Sequence, residues 1–105
     1  MKLAAAFNIE NDSINEYFEE TKYFIIYEIE NNQIDHSEVV GTMNKDNEEF
    51  ADLLLFLEVD ALICGKINGR SIRRIENEGI SLYAGCFGDA DSAAYAFLDG
   101  KLVFN

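Results

Sequence analysis

A chain of 105 residues has room for one domain with one modest core, and its 49 % apolar share, with eight Phe and five Tyr, excludes a disordered acidic tail. Twenty acids against eight bases leave a formal charge of -12. Such a surface repels nucleic acid and anionic membrane, whose binding depends on Lys and Arg neutralising phosphates.

No apolar run approaches the ~20 residues that span a bilayer. The start, "MKLAAAFNIENDS", is too short in its apolar part for a secretory leader, and two cysteines make no disulfide scaffold. The expectation is one domain over residues 1–105 in a reduced, cytoplasmic compartment.

The first predicted element is a buried strand, "LAAAF", residues 3–7, weak in propensity because of its alanines. A polar loop with a few apolar anchors follows to Thr21. "YFIIYEIE", 23–30, and "IDHSEVVG", 34–41, read as two arms of a hairpin whose turn, "NNQ", is not the Asn-Gly type. From Asp46 the period changes. Phe50, Leu53, Leu54 and Leu57 fall at i, i+3, i+4 and i+7, one helical stripe, and Asp46 with Glu49 has the pattern of a capping box that starts the helix. "ALIC" is a short strand, "RSIRRIENE" a helix, and "ISLYA" another strand. The last helix, "DADSAAYAFLD", aligns Ala90, Ala93, Ala94 and Phe97. Gly100 stands where a C-cap glycine would, and "KLVF" closes the chain. Alternation in the second half calls for parallel strands with right-handed crossovers, and the first half supplies an antiparallel meander. Together they predict an α/β domain, a five-stranded mixed sheet with flanking helices.

Ligands of open α/β sheets gather beyond the carboxyl ends of parallel strands. Cys64 ends one predicted parallel strand and Cys86 lies just past the next, so neighbouring strands would bring both to one edge. Gly65, Gly69, Gly85 and Gly88 keep the backbone there free of bulk. Asn68 and Gly69 precede one helix, where exposed N–H groups can hold an anion with help from Lys66 and Arg70. A thiol at a helix start also ionises more easily. The same cysteines read equally as small core residues, Cys64 following Leu62 and Ile63 directly. Their spacing matches no zinc site, two thiolates leave a four-ligand metal incomplete, and a disulfide needs α-carbons within about 7 Å. Ligand, redox pair and core residue all stay open.

Lys66, Arg70, Arg73 and Arg74 are half of the eight bases. They form either a local anion patch or a solvated helix face, Arg70 and Arg74 being i, i+4. His36, the one histidine, is distant from both cysteines in sequence and reads as a solvated strand residue. Ser71, Ser81 and Ser92 have no base nearby, and "GKING" is not a P-loop, so no enzyme constellation emerges.

The layout of strand, "GKING", helix, "EGI", strand, "AG" and an alanine-rich helix ending "GKL" resembles the dinitrogenase iron-molybdenum cofactor biosynthesis family. The resemblance covers nearly the whole chain: "MKLAAAF" fits the opening strand, "YFIIYEIENN" the second, "ALICGKING" the glycine turn, "ENEGISLYAG" the following strand and "AYAFLDGKL" the end. It implies a ribonuclease H-like arrangement. It also implies a non-catalytic binding or carrier domain for an iron–sulfur or iron–molybdenum type cluster, passed between cluster-assembly or target proteins. Cys64 and Cys86 are then the candidate ligands, with Gly65, Lys66, Asn68 and Gly69 as the turn around the cofactor. Where the family often has a His-Phe-Gly step before its second strand this chain has Tyr17, Phe18 and Glu19, and Lys66 and Asn68 replace frequent glycines. The alternative is a protein-interaction or regulatory domain of the same fold without the metal, meeting a basic partner through the glycine edge or an acidic face. Neither reading has a nucleic-acid or membrane partner, and a monomer or small homo-oligomer suffices.

Overall fold

Three consecutive alanines lie at the centre of the sheet. They belong to β1 (Lys2–Asn8), and in the computed structural model, which describes residues 1–102, Ala4, Ala5 and Ala6 are wholly buried. The closing run "KLVF" extends beyond the described residues. After β1 come β2 (Ser13–Ile14), β3 (Tyr23–Glu30) and β4 (Gln33–Gly41), then α1 (Phe50–Phe56), β5 (Ala61–Ile63), α2 (Gly69–Asn77), β6 (Ser81–Tyr83) and α3 (Ala90–Leu98). The sheet order is β4-β3-β1-β5-β6, with β2 paired to the end of β1. β1 is antiparallel to β3 and parallel to β5, and β5 is parallel to β6. This is the expected α/β domain in its ribonuclease H-like arrangement, with one short extra strand.

Burial on both faces, not propensity, makes β1 a strand. Ala4 and Ala6 face a core shared with α1 and α2, where Phe18, Phe24 and Phe50 meet edge to face or tilted at centroid distances of 5.5 to 6.1 Å. Leu3, Ala5 and Phe7 face a second core under α3, whose Ala90, Ala93 and Ala94 are buried against it. Small side chains on β1 leave room for the ring cluster on one face and for close approach of α3 on the other. Tyr27, on β3, donates its hydroxyl to the Asp91 carboxylate at 2.7 Å and so ties β3 to α3.

Local chemistry sets the boundaries. Asn31 and Asn32 both adopt positive φ, the I′ geometry of a two-residue hairpin joining Glu30 to Gln33. The Glu49 carboxylate accepts the Asp46 N–H at 3.2 Å, so the expected capping box forms, but it starts a 3₁₀ turn at 47–49 and the α-helix begins at Phe50. α3 ends as expected: Gly100 takes φ +70°, and the Lys101 and Gly100 N–H groups close back onto the Ala96 and Phe97 carbonyls. The expected polar loop before Thr21 holds β2 and a 3₁₀ turn, Phe18–Glu20, with Phe18 buried in the core.

Candidate functional site

The parallel strands bring the two cysteine turns side by side. The Cys64 N–H donates to the Tyr83 carbonyl at 3.0 Å, the Cys86 N–H to the Cys64 carbonyl at 3.0 Å, and the Gly85 N–H to the Gly65 carbonyl at 2.9 Å. The segment before β3 then crosses this edge as a strap. The Ala90 N–H donates to the Asp12 carbonyl, the Ile14 N–H to that of Gly88, and the Asn15 N–H to that of Ala6, at 2.8 to 3.0 Å. Further on, the Lys66 N–H donates to the Glu16 carbonyl at 2.7 Å and the Phe18 N–H to the Lys66 carbonyl at 2.8 Å. The strap passes so close to Gly65 that a β-carbon there would collide with the Glu16 carbonyl oxygen and stand 2.6 Å from that of Asn15.

The two thiols have different surroundings. Cys64 is 0 % exposed and belongs to the core between the sheet and α1 and α2. Burial, then the neighbouring Cys86 and Glu19, pushes its thiol up to about 12, so it stays protonated at neutral pH. Cys86 is half-buried and packs against the core under α3. Its sulfur lies 3.5 Å from the Tyr83 carbonyl, and burial raises its pKa too. Neither forms a disulfide. A metal cluster needs several thiolate or imidazole donors facing one point. Here one thiol is sealed in the core, His36 lies on β4 beside Asp35, and among the described residues no group of three or more His, Cys, Asp or Glu can hold a metal ion. This donor set does not fit a resident cluster ligated by both cysteines.

The polar groups of the glycine turn are engaged within the chain. Asn68, the N-cap of α2, accepts the Ser71 N–H at 2.8 Å on its side chain, while its own N–H donates to the Glu19 carboxylate at 3.1 Å. Gly69 is the first residue of α2. The Lys66 ammonium lies 3.6 Å from the Glu16 carboxylate and 5.3 Å from the centre of the Tyr17 ring. Arg70 pairs with Glu48 at 2.9 Å and Arg74 with Asp52 at 3.7 Å, so the basic run meets acids from the segment around the start of α1. All these pairs are exposed and individually weak. Together they pair three of the four bases of the patch, Lys66, Arg70 and Arg74, with acids.

Beside them lies a feature that the cysteine pattern did not point to. Phe87 is 90 % exposed between Gly85 and Gly88, whose φ angles are +74° and +91°. Two clefts of about 390 and 400 Å³ meet at its ring. Ile14, Gly65 and Cys86 line one; Ala84, Cys86, Ala93, Ala96 and Leu102 line the other. An aromatic residue between two glycines, outside any periodic apolar pattern, was the available sequence signal. The strap residues Glu16, Tyr17 and Glu19 carried no comparable signal for their contacts.

The family model described as dinitrogenase iron-molybdenum cofactor matches residues 1–100. MJ0327, an uncharacterized protein of Methanocaldococcus jannaschii, is 28 % identical over 103 residues, covering 97 % of this chain and 91 % of the relative. Its crystal structure gives a TM-score of 0.82 at 27 % identity, over 100 % of this chain and 94 % of that one. In fold alone, the chain is also similar to PH0822, with TM-score 0.89, 23 % identity and coverage of 100 % and 95 %. The same holds for the apo form of the orange protein of Desulfovibrio gigas, with TM-score 0.80, 17 % identity and coverage of 99 % and 92 %.

Proposed function

This chain belongs to the dinitrogenase iron-molybdenum cofactor family, and from that premise we propose that it is a non-catalytic protein-interaction or regulatory domain that has kept the family fold without a resident metal site. Its working surface is the glycine edge around Phe87 and Cys86, and its partner a basic protein, as the charge of -12 favours. The observation that carries this reading is the contrast at that edge: the Cys64 thiol is wholly inside the core, while the Phe87 ring beside Cys86 is 90 % exposed. An exposed ring flanked by two mainly apolar clefts is the chemistry of a protein contact. Family membership also keeps a competing reading in view. In it, a cluster-assembly or target protein exchanges an iron–sulfur or iron–molybdenum cluster at Cys86, with Cys64, Gly65, Lys66, Asn68 and Gly69 around it.

One preparation tests both readings. Anaerobic protein is mixed with iron and sulfide, passed over a gel-filtration column and assayed for iron and for thiolate-to-iron absorbance. The interaction reading expects no stoichiometric iron. It also expects wild type, but not Phe87→Ser, to retain a defined basic protein from an extract of the source cells, with retention falling as salt rises. Stoichiometric iron that disappears in Cys86→Ala, or retention indifferent to Phe87→Ser, overturns it.

A further inference from the structure

The sheet has one long free edge among the described residues, and it lies away from the cysteine turns. β4 has nine residues and pairs only with β3, whereas β6, the opposite edge, has three. Every residue from Asp35 to Val39 is exposed. The phase of its backbone follows from two hydrogen bonds. The Thr42 N–H donates to the Lys22 carbonyl at 2.9 Å, and the Ile29 N–H donates to the Met1 carbonyl at 2.8 Å, on the other side of β3. N–H and C=O groups alternate in direction along a strand. His36, Glu38 and Val40 therefore turn theirs toward β3, where Glu28, Ile26 and Phe24 are their register partners. Ser37, Val39 and Gly41 turn theirs outward. The register skips Asp35 at a bulge between Glu28 and Ile29, and left-handed Met43 and Asn44 follow the strand's end, so the regular stretch is 36–42.

Free edges are usually guarded by lysine, proline, a bulge or a covering element. This chain has no proline, β4 has no lysine, and beyond the bulge its guards are the carboxylates of Asp35 and Glu38. The exposed Glu30 adds another on β3, and the imidazole of His36 lies 3.4 Å from Asp35. Carboxylate guards on a chain of charge -12 repel a second copy and other acidic strands, but they attract a strand bearing Lys or Arg.

We propose that the outer edge of β4 takes up an extended basic segment of a partner protein as an added strand. The segment pairs with the outward groups of Ser37, Val39 and Gly41 and sets its cations beside Asp35 and Glu38. This stands on the strand edge and is independent of the glycine edge.

The test titrates ¹⁵N-labelled protein with a short synthetic peptide alternating lysine and valine, and with its glutamate–valine counterpart. The amides of Ser37, Val39 and Gly41 should move most, and the lysine peptide should bind at least about tenfold more tightly, as two or three cross-strand charge pairs of reversed sign imply. Val39→Pro removes an outward donor and leaves the β3 ladder bonds in place, so binding should be lost while the β3 amides keep their shifts. Glu38→Lys, which carries no backbone change, should narrow or reverse the preference between the peptides. Equal response to both peptides, shifts centred away from β4, or indifference to Val39→Pro would overturn the proposal. So would a homodimer seen by light scattering that Val39→Pro dissociates, since the occupant would then be a second copy.

Discussion

Gly65 and Gly69 bracket one turn, and their surroundings give their replacement by alanine opposite signs. A β-carbon at Gly65 meets the backbone of Asn15 and Glu16. That backbone cannot yield freely, because the Asn15 N–H is held by the Ala6 carbonyl at 2.8 Å and the Glu16 carbonyl by the Lys66 N–H at 2.7 Å. Alanine must lift the strap off the turn. That weakens the Lys66–Glu16 and Phe18–Lys66 hydrogen bonds, each worth about 1 kcal/mol. It also loosens Phe18, now 1 % exposed, whose full burial is worth about 1.5–3 kcal/mol. Allowing for partial relaxation, Gly65→Ala should cost about 2–4 kcal/mol. At Gly69 a β-carbon meets only the Arg73 Nη1 atom, at 3.6 Å, an ordinary contact. There alanine should add about 0.5–1 kcal/mol, the usual gain when a helical glycine is replaced. Urea unfolding followed by far-ultraviolet circular dichroism measures both. If Gly65→Ala lies within about 0.5 kcal/mol of wild type, the size of an ordinary surface change, the close approach of the strap is not what requires glycine there.

The cysteines give two further tests. Burial raises the Cys64 pKa from 9.0 to about 12, so the folded chain keeps a proton that the unfolded chain releases. The resulting stability is whole below pH ~9 and is lost as pH rises toward 12; by pH ~10.5 wild type should lose about 2 kcal/mol more than Cys64→Ala, and parallel urea midpoints for the two would refute this. With a thiol-specific chromogenic reagent, the native protein should show one slowly reacting thiol, absent in Cys86→Ala, and a second only in urea. Tyr27→Phe removes the 2.7 Å bond to Asp91 and should cost about 1–2 kcal/mol in the same urea assay, with unchanged secondary structure. Glu58, with φ +61°, occupies the left-handed position after α1 that Gly79 and Gly100 fill after α2 and α3. Glu58→Gly should therefore raise the thermal midpoint, by about 0.5–1 kcal/mol of stability; a lower midpoint would show that the Glu58 side chain makes up for the strain.

The second half of the chain was legible because its signals are local. The stripe Phe50, Leu53, Leu54 and Leu57 and the small face of Ala90, Ala93 and Ala94 state where each helix lies, and two short apolar runs between helices can hardly be anything but parallel strands. The strap was not legible. Its partners, Asp89 for Ser13 and Lys66 for Tyr17, lie far away in sequence, and isolated bridges leave no period in the residues that form them. Alternating strands and helices allowed Cys64 and Cys86 to share one edge if their strands were neighbours, but left open whether they meet and where their side chains would go. Cys64 lies two residues after Leu62, and continued alternation sends both into the core that holds Phe24. Cys86 comes after β6 has ended, where alternation no longer applies. Exposure of Phe87 depends on two left-handed glycines and on no element among the described residues covering them, and neither can be counted from residue types.

In the glycine turn, the residues that the fold requires and the groups that a ligand would use can be told apart. Gly65 is required here by the strap's backbone, and Asn68 by the start of α2, so both would stay under pressure to maintain the fold alone. The groups that an anionic ligand would use at this turn already have partners: the Asn68 N–H has the Glu19 carboxylate, and the Lys66 ammonium has Glu16 and the Tyr17 ring. A ligand must displace those contacts and add its own negative charge to a chain already at -12. What the edge leaves open is mainly apolar: the half-buried Ala84 and Cys86 and above all the exposed Phe87. A surface with its polar groups satisfied and an aromatic ring left out selects for partners that bury area, whereas one with free thiolates and N–H groups selects for partners that donate a metal. The residues at this edge favour the first kind.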